Sequence, residues 1–177
     1  MLYTSKEAEQ AAILQVANEM CAAIRTAPKT KGQDYLDCCI VTGKEQAELA
    51  QKMEELSKAY DAAFLMRDAG NIRSSSAVVL VGVKNVRRGL NKLCGYCGFD
   101  DCAACTEAGA ECVYGPIDLG IAVGSATAVA SAAHIDNRVM FSAGRAAMEL
   151  GYLGSDYGCM LAIPLSVSGK SPFFDRK

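Results

Sequence analysis

The chain has 177 residues, enough for one medium domain with a sizeable core but not comfortably for two. Half of it is apolar (51%), and the net charge of −2 comes from acidic and basic residues mixed along the chain. That composition excludes a disordered chain and the basic footprint of a nucleic-acid binder. The run Lys84 to Arg88 is the longest basic stretch, and it is expected to be a solvated loop. The first ten residues are polar and acidic, without an apolar core after a basic start. The stretch from Ile117 to Ala133 is apolar, but Ala, Gly and Ser dominate it and Asp118 stands near its start, a poor membrane span. The expectation is a cytoplasmic protein with no membrane or nucleic-acid partner.

In chain order, Lys6 to Arg25 places Ala12, Ile13, Val16, Ala17, Met20 and Ile24 at helical spacing, and Pro28 lies beyond its end. A polar, basic loop from Thr26 to Gln33 follows. Leu36 to Val41 predicts a strand. Lys44 to Ala69 predicts one long helix ending at Gly70. The β-branched run from Ser76 to Val83 predicts a strand covered on both faces. The cysteine segment occupies residues 84–116. Asp118 to His134 predicts a helix of small side chains, either packed centrally or part of a subunit interface. Val139 to Leu150 predicts a helix closed near Gly151 and Gly154, and Met160 to Val167 a strand that Pro164 assigns to an edge or a strand end. This order predicts a single α/β (α+β) domain over residues 1–177, helices layered on a small mixed sheet, with residues 84–116 as an inserted cofactor loop.

Nine cysteines is many for a cytoplasmic chain, where disulfides are disfavoured. Five fall between Cys94 and Cys112, and such clustering points to metal. Cys21, Cys38, Cys39 and Cys159 lie in apolar surroundings and read as buried free thiols. The segment reads Cys94-Gly95-Tyr96-Cys97-Gly98-Phe99-Asp100-Asp101-Cys102-Ala103-Ala104-Cys105, then Cys112. A C-x-x-C pair wraps one corner of a cluster, and Gly95 and Gly98 permit the positive φ that a loop around sulfides needs. Zinc is the rival, but only four residues separate Cys97 from Cys102, which is cramped for two folded-back zinc knuckles. The carboxylates Asp100 and Asp101 are expected to tune a cluster or face solvent.

This arrangement resembles the short four-iron cluster module of membrane electron-transfer complexes and corrinoid iron–sulfur proteins. The resemblance implies a [4Fe-4S] cluster on Cys94, Cys97, Cys102 and Cys112, with Cys105 as the alternative fourth ligand. From the loop Arg25-Thr26-Ala27-Pro28-Lys29 to the end at Gly169-Lys170-Ser171-Pro172-Phe173-Phe174-Asp175-Arg176, the chain also resembles a family of uncharacterised prokaryotic proteins carrying a ferredoxin domain. The remainder resembles flavin-dependent nitroreductase-like proteins: an Arg and Ala-Pro loop after the first helix, a long central helix, a helix ending in Leu150-Gly151, and Ile163-Pro164-Leu165. That implies a nitroreductase-like fold and FMN at a dimer interface, with Arg25, Lys29, Lys31, Lys170 and Arg176 as candidates to grip its phosphate. The Ser and Asn that usually continue that loop are replaced by Lys29-Thr30-Lys31-Gly32, and the chain has no Trp. His134, the sole histidine, is expected to be structural.

The expected function is an iron–sulfur redox protein, an FMN/iron–sulfur oxidoreductase if a flavin is bound. It would exchange electrons with a redox partner protein or a small-molecule acceptor and assemble as a homo-oligomer. The alternatives are a non-catalytic electron carrier or redox-sensing module, and a zinc-stabilised interaction domain.

Overall fold

A computed structural model describes residues 2–174. Helix α1 spans Ser5–Thr26. Thr4 and Glu7 close its first turn reciprocally, the Thr4 side chain accepting from the Glu7 N–H and Glu7 accepting from the Thr4 N–H at 2.8 Å. Strand β1 (Leu36–Val41) follows, then α2 (Gly43–Ala59) and α3 (Ala63–Ser74). The single helix expected over 44–69 is therefore broken. Asp61 takes a left-handed φ of 49°, the Ala62 N–H bonds the Ser57 carbonyl, and α3 folds back on α2. An aspartate tolerates this conformation better than most residues, and both arms then bury their apolar faces against the sheet. Gly70 lies inside α3 rather than at its end.

Strand β2 (Ala77–Lys84) leads into the cysteine segment, which contains the short helix α4 (Cys102–Glu107). Helix α5 (Tyr114–Ala132), the two-residue strand β3 (Asp136–Asn137), α6 (Phe141–Glu149) and β4 (Tyr157–Ser166) complete the chain. The sheet order is β1-β2-β4-β3 and every pairing is antiparallel, so the sheet is not mixed. Along β2, Ala77, Val79, Val81 and Val83 pack with α1 and α5, while Val78 and Leu80 pack with α2, α3 and α6. The strand is buried on both faces, as its unbroken β-branched run predicts.

Strand β4 lies in the sheet interior, so of the two positions expected of Pro164, an edge or a strand end, the second holds: it stands two residues before the end of β4 at Ser166. Ala162 exchanges both backbone hydrogen bonds with Met140, at 2.8 and 3.1 Å. Pro164, two residues on, turns its missing N–H to that same side, where the short β3 pairs only Leu165 and Ser166. The proline thus costs no rung of the β2 ladder. Gly144 lets α6 approach β4 closely; a Cβ there would collide with the Met160 carbonyl.

Helix α5 begins four residues before the expected Asp118 and stops before His134, which is exposed at φ 57° just beyond the helix end. Its length and composition match those of a membrane-spanning helix. Here Asp118, Leu119, Ala122, Ala126 and Ala130 are buried against α1 and the sheet. Its other side leaves Ile117, Gly120, Ile121 and Gly124 exposed.

Candidate functional site

The five clustered cysteines line one pocket within the segment that joins β2 to α5, together with Arg87, Arg88, Asn91 and Asp101. Short-range rules build its wall. Gly95 (φ 62°) and Gly98 (φ 79°) take the left-handed conformations expected of them, and the Gly98 N–H bonds the Gly95 carbonyl at 3.0 Å, closing a turn between Cys94 and Cys97. The carboxylate of Asp101 accepts from the N–H groups of Ala103 (3.0 Å) and Ala104 (2.9 Å) and so starts α4 at Cys102. Its place in the segment is thus a capping role. Gly109 (φ 64°) ends the turn and returns the chain toward Cys112.

Cys94, Cys97, Cys102 and Cys112 are half-buried, whereas Cys105 is only 1% exposed. The Asn91 N–H already points at the Cys102 sulfur, 3.3 Å away. The sulfur of Cys105 lies 3.8 Å from the carbonyl oxygens of both Ala110 and Glu111. Burial and the adjacent Cys97 sulfur push the Cys105 thiol above its ordinary range, against the pull of Arg87. Among the described residues, no three His, Cys, Asp or Glu side chains converge on a single metal-ion position.

Two arginines hold the cavity, and neither was expected to. The segment 84–88 is no solvated loop: Arg88 is 1% exposed. Its Nε donates to Asp118 at 3.0 Å, its Nη1 to the Val86 carbonyl at 2.6 Å, and its guanidinium lies over the Tyr35 ring at 4.7 Å. Asp118, also 1% exposed, accepts from the N–H and hydroxyl of Thr30 at 2.9 and 2.8 Å. This network joins the loop after α1, the first turns of α5 and the approach to the cysteines. Arg87 donates to the carbonyls of Cys105 and Ala110, bracing α4 and the segment that follows it, and leaves its Nε buried without a hydrogen-bond partner among the described residues. The sequence signal for the network was Asp118 itself, a lone carboxylate in a run of small apolar residues.

The residues expected to grip a flavin phosphate are dispersed in role. Arg25 bonds Asp34 (2.7 Å), Asp37 (3.0 Å) and the Leu36 carbonyl (3.0 Å). Lys29 folds back over the end of α1, its ammonium donating to the carbonyls of Ile24, Arg25 and Ala27. Lys31 is exposed beside Gly89 at the rim of the cysteine segment, and Lys170 is exposed in the C-terminal tail. Arg176 lies outside the described residues.

A family model described as "Uncharacterized protein containing a ferredoxin domain" matches residues 108–176, from the approach to Cys112 through β4. A protein from Archaeoglobus fulgidus is 40% identical over 185 residues, covering 99% of this chain and 98% of its own length. Among solved structures, a nitroreductase with bound FMN from Desulfitobacterium hafniense superposes with a TM-score of 0.55 at 14% identity, covering 96% of this chain and 81% of its own. The Lactococcus lactis nitroreductase CinD, in complex with chloramphenicol, gives 0.58 at 15% identity over 94% and 85%. At such identities the likeness concerns the fold. The chain belongs to the same family as the archaeal protein, the ferredoxin-domain model matches it over residues 108–176, and its fold is that of the nitroreductases.

Proposed function

We propose that this chain is a cytoplasmic iron–sulfur redox protein whose cavity holds a [4Fe-4S] cluster on Cys94, Cys97, Cys102 and Cys112. The observation that carries the reading is the set of five thiols lining one cavity, with an N–H aimed at one sulfur and a buried, unpartnered Arg87 Nε in the wall. Such a set fits a cluster. A cubane takes thiolates spread around its corners, and N–H groups and cations nearby stabilise its negative charge. Zinc is bound by paired knuckles that fold back on one another, and only four residues separate Cys97 from Cys102. Cys112 suits the fourth corner better than Cys105, whose sulfur is buried against two carbonyl oxygens. Nine cysteines, none of them paired, suit a reducing compartment.

A bound cluster supplies a one-electron relay. The residues around it orient and insulate: Gly95 and Gly98 bring backbone close, Asp101 sets the axis of α4, and Arg87 braces the loop that carries Cys112. Electrons would pass to or from a redox partner protein, a small-molecule acceptor or an FMN. In the flavin form, Lys31 is exposed to meet a phosphate, whereas Arg25 and Lys29 would first have to leave their present partners. That engagement favours a second reading, an electron carrier without a flavin of its own. The exposed stripe of Ile117, Gly120, Ile121 and Gly124 on α5 suits close approach of a second copy, so a homodimer is part of the proposal.

Anaerobic purification followed by iron, sulfide, zinc and flavin analysis tests all of this. The expected result is brown protein with broad absorbance near ~400 nm and about four iron and four sulfide per chain. Released FMN would assign the oxidoreductase form, and its absence the carrier. Colourless protein with stoichiometric zinc would overturn the cluster.

A further inference from the structure

Two arginines stand side by side in the pocket wall, and only one of them has its charge met. Arg88 is buried against Asp118, with Nε and Nη2 each 3.0 Å from the same carboxylate oxygen, so the pair adds no net charge. Arg87 donates only to neutral acceptors. Its Nη1 reaches the Asn85 side-chain oxygen at 2.7 Å and the Asn85 carbonyl at 3.4 Å. Its Nη2 reaches the carbonyls of Cys105 at 3.2 Å and Ala110 at 2.5 Å. Its Nε is buried without a hydrogen-bond partner among the described residues. Asp101, the one carboxylate in the wall among those residues, accepts from the N–H groups of Ala103 and Ala104 and not from Arg87.

We propose that Arg87 sets the reduction potential of the cluster, raising it by placing an unneutralised guanidinium in the pocket wall. This rests on the cluster reading above and names what tunes the site. One-electron reduction adds one negative charge to the cluster, and a fixed cation nearby favours the reduced form. The electron comes from the donor, no bond forms or breaks, and the guanidinium keeps its proton throughout.

The surroundings explain why this arginine and not its neighbours. A partly buried cation without a carboxylate keeps its full charge, and an anion in the pocket is what offsets its desolvation. Its partners lie on α4, which carries Cys102, and two residues before Cys112, so the charge is held in place on both sides. Arg88 is silent because Asp118 cancels it. Lys92 is two residues from Cys94, yet it is exposed, and water and salt screen it.

The test is a redox titration with dithionite of the full, anaerobically purified chain, followed by the electron paramagnetic resonance of the reduced cluster. It compares the unaltered protein with Arg87→Gln, Arg87→Lys and Lys92→Gln, and counts iron and sulfide in each. Arg87→Gln should keep its iron while its equilibrium constant for reduction falls at least about tenfold, about 59 mV for one electron. That fall should persist in about 1 M salt. Arg87→Lys, which keeps the charge, and Lys92→Gln should both stay within about threefold of the unaltered protein. An Arg87→Gln value within that same range, or an equal fall in Arg87→Lys or Lys92→Gln, would overturn the proposal. Loss of iron from either Arg87 variant would overturn it as well, because the residue would then hold the loop rather than tune the cluster. Unaltered protein without iron and sulfide would sink the cluster reading itself, whereas an unchanged potential in brown Arg87→Gln protein would sink this inference alone.

Discussion

At the scale of single residues, the cavity distinguishes cysteines that the sequence treats alike. Cys102 opens a helix, receives an N–H from Asn91 and is half-buried. Cys105, three residues on, is sealed against backbone carbonyls. Under the proposed ligand set, Cys112→Ser should abolish the iron absorbance and cut bound iron to background. Cys105→Ser should keep both, because a hydroxyl can replace the thiol beside those carbonyls. Iron analysis of the two variants checks this, and loss of iron in Cys105→Ser alone would reverse the assignment. The reading of Arg88 as a solvated residue failed for a related reason. A guanidinium is expensive to bury unless a carboxylate and an aromatic face meet it, and Asp118 and Tyr35 are 30 and 53 residues away in the chain.

At the scale of elements, the network of Thr30, Arg88 and Asp118 couples three segments that the cavity requires together. Asp118→Ala would leave Arg88 charged and unpaired in a buried position and strip Thr30 of its acceptor. Removing one partner of a buried pair costs about 3–5 kcal/mol, and Asp118→Ala is expected to lose a stability in that range by denaturant unfolding. A loss below about 1 kcal/mol would mean that water reaches the pair. The end of α6 was legible from Gly151 and Gly154, whereas the caps that Thr4 and Glu7 make on α1 and Asp101 makes on α4 emerge only in the structure. The break between α2 and α3 was not legible either. Its cause is a left-handed Asp61 that pays only because both arms reach the same sheet face, and periodicity does not carry that information.

At the scale of the whole molecule, two helical layers enclose an antiparallel sheet, and α5 is left with one face on the core and one face bare. The proposed dimer predicts that Ile121→Asp shifts the protein from dimer to monomer in light scattering while its circular dichroism is retained. Ile121 is 42% exposed in the single chain, so the change leaves the core intact. A mass that the variant does not change would move the interface elsewhere.

By itself the sequence determined the layered α/β class, the doubly covered β2, the turn-forming glycines and the cysteine segment. Each follows from interactions within a few residues or from hydrophobic period. Only the tertiary structure decided the interior place of β4, the pairing of β3, the break between α2 and α3 and the burial of Arg88. Those depend on which distant groups meet once both faces of the sheet are covered. Antiparallel strands from separate parts of the chain set that meeting, and no local pattern encodes it.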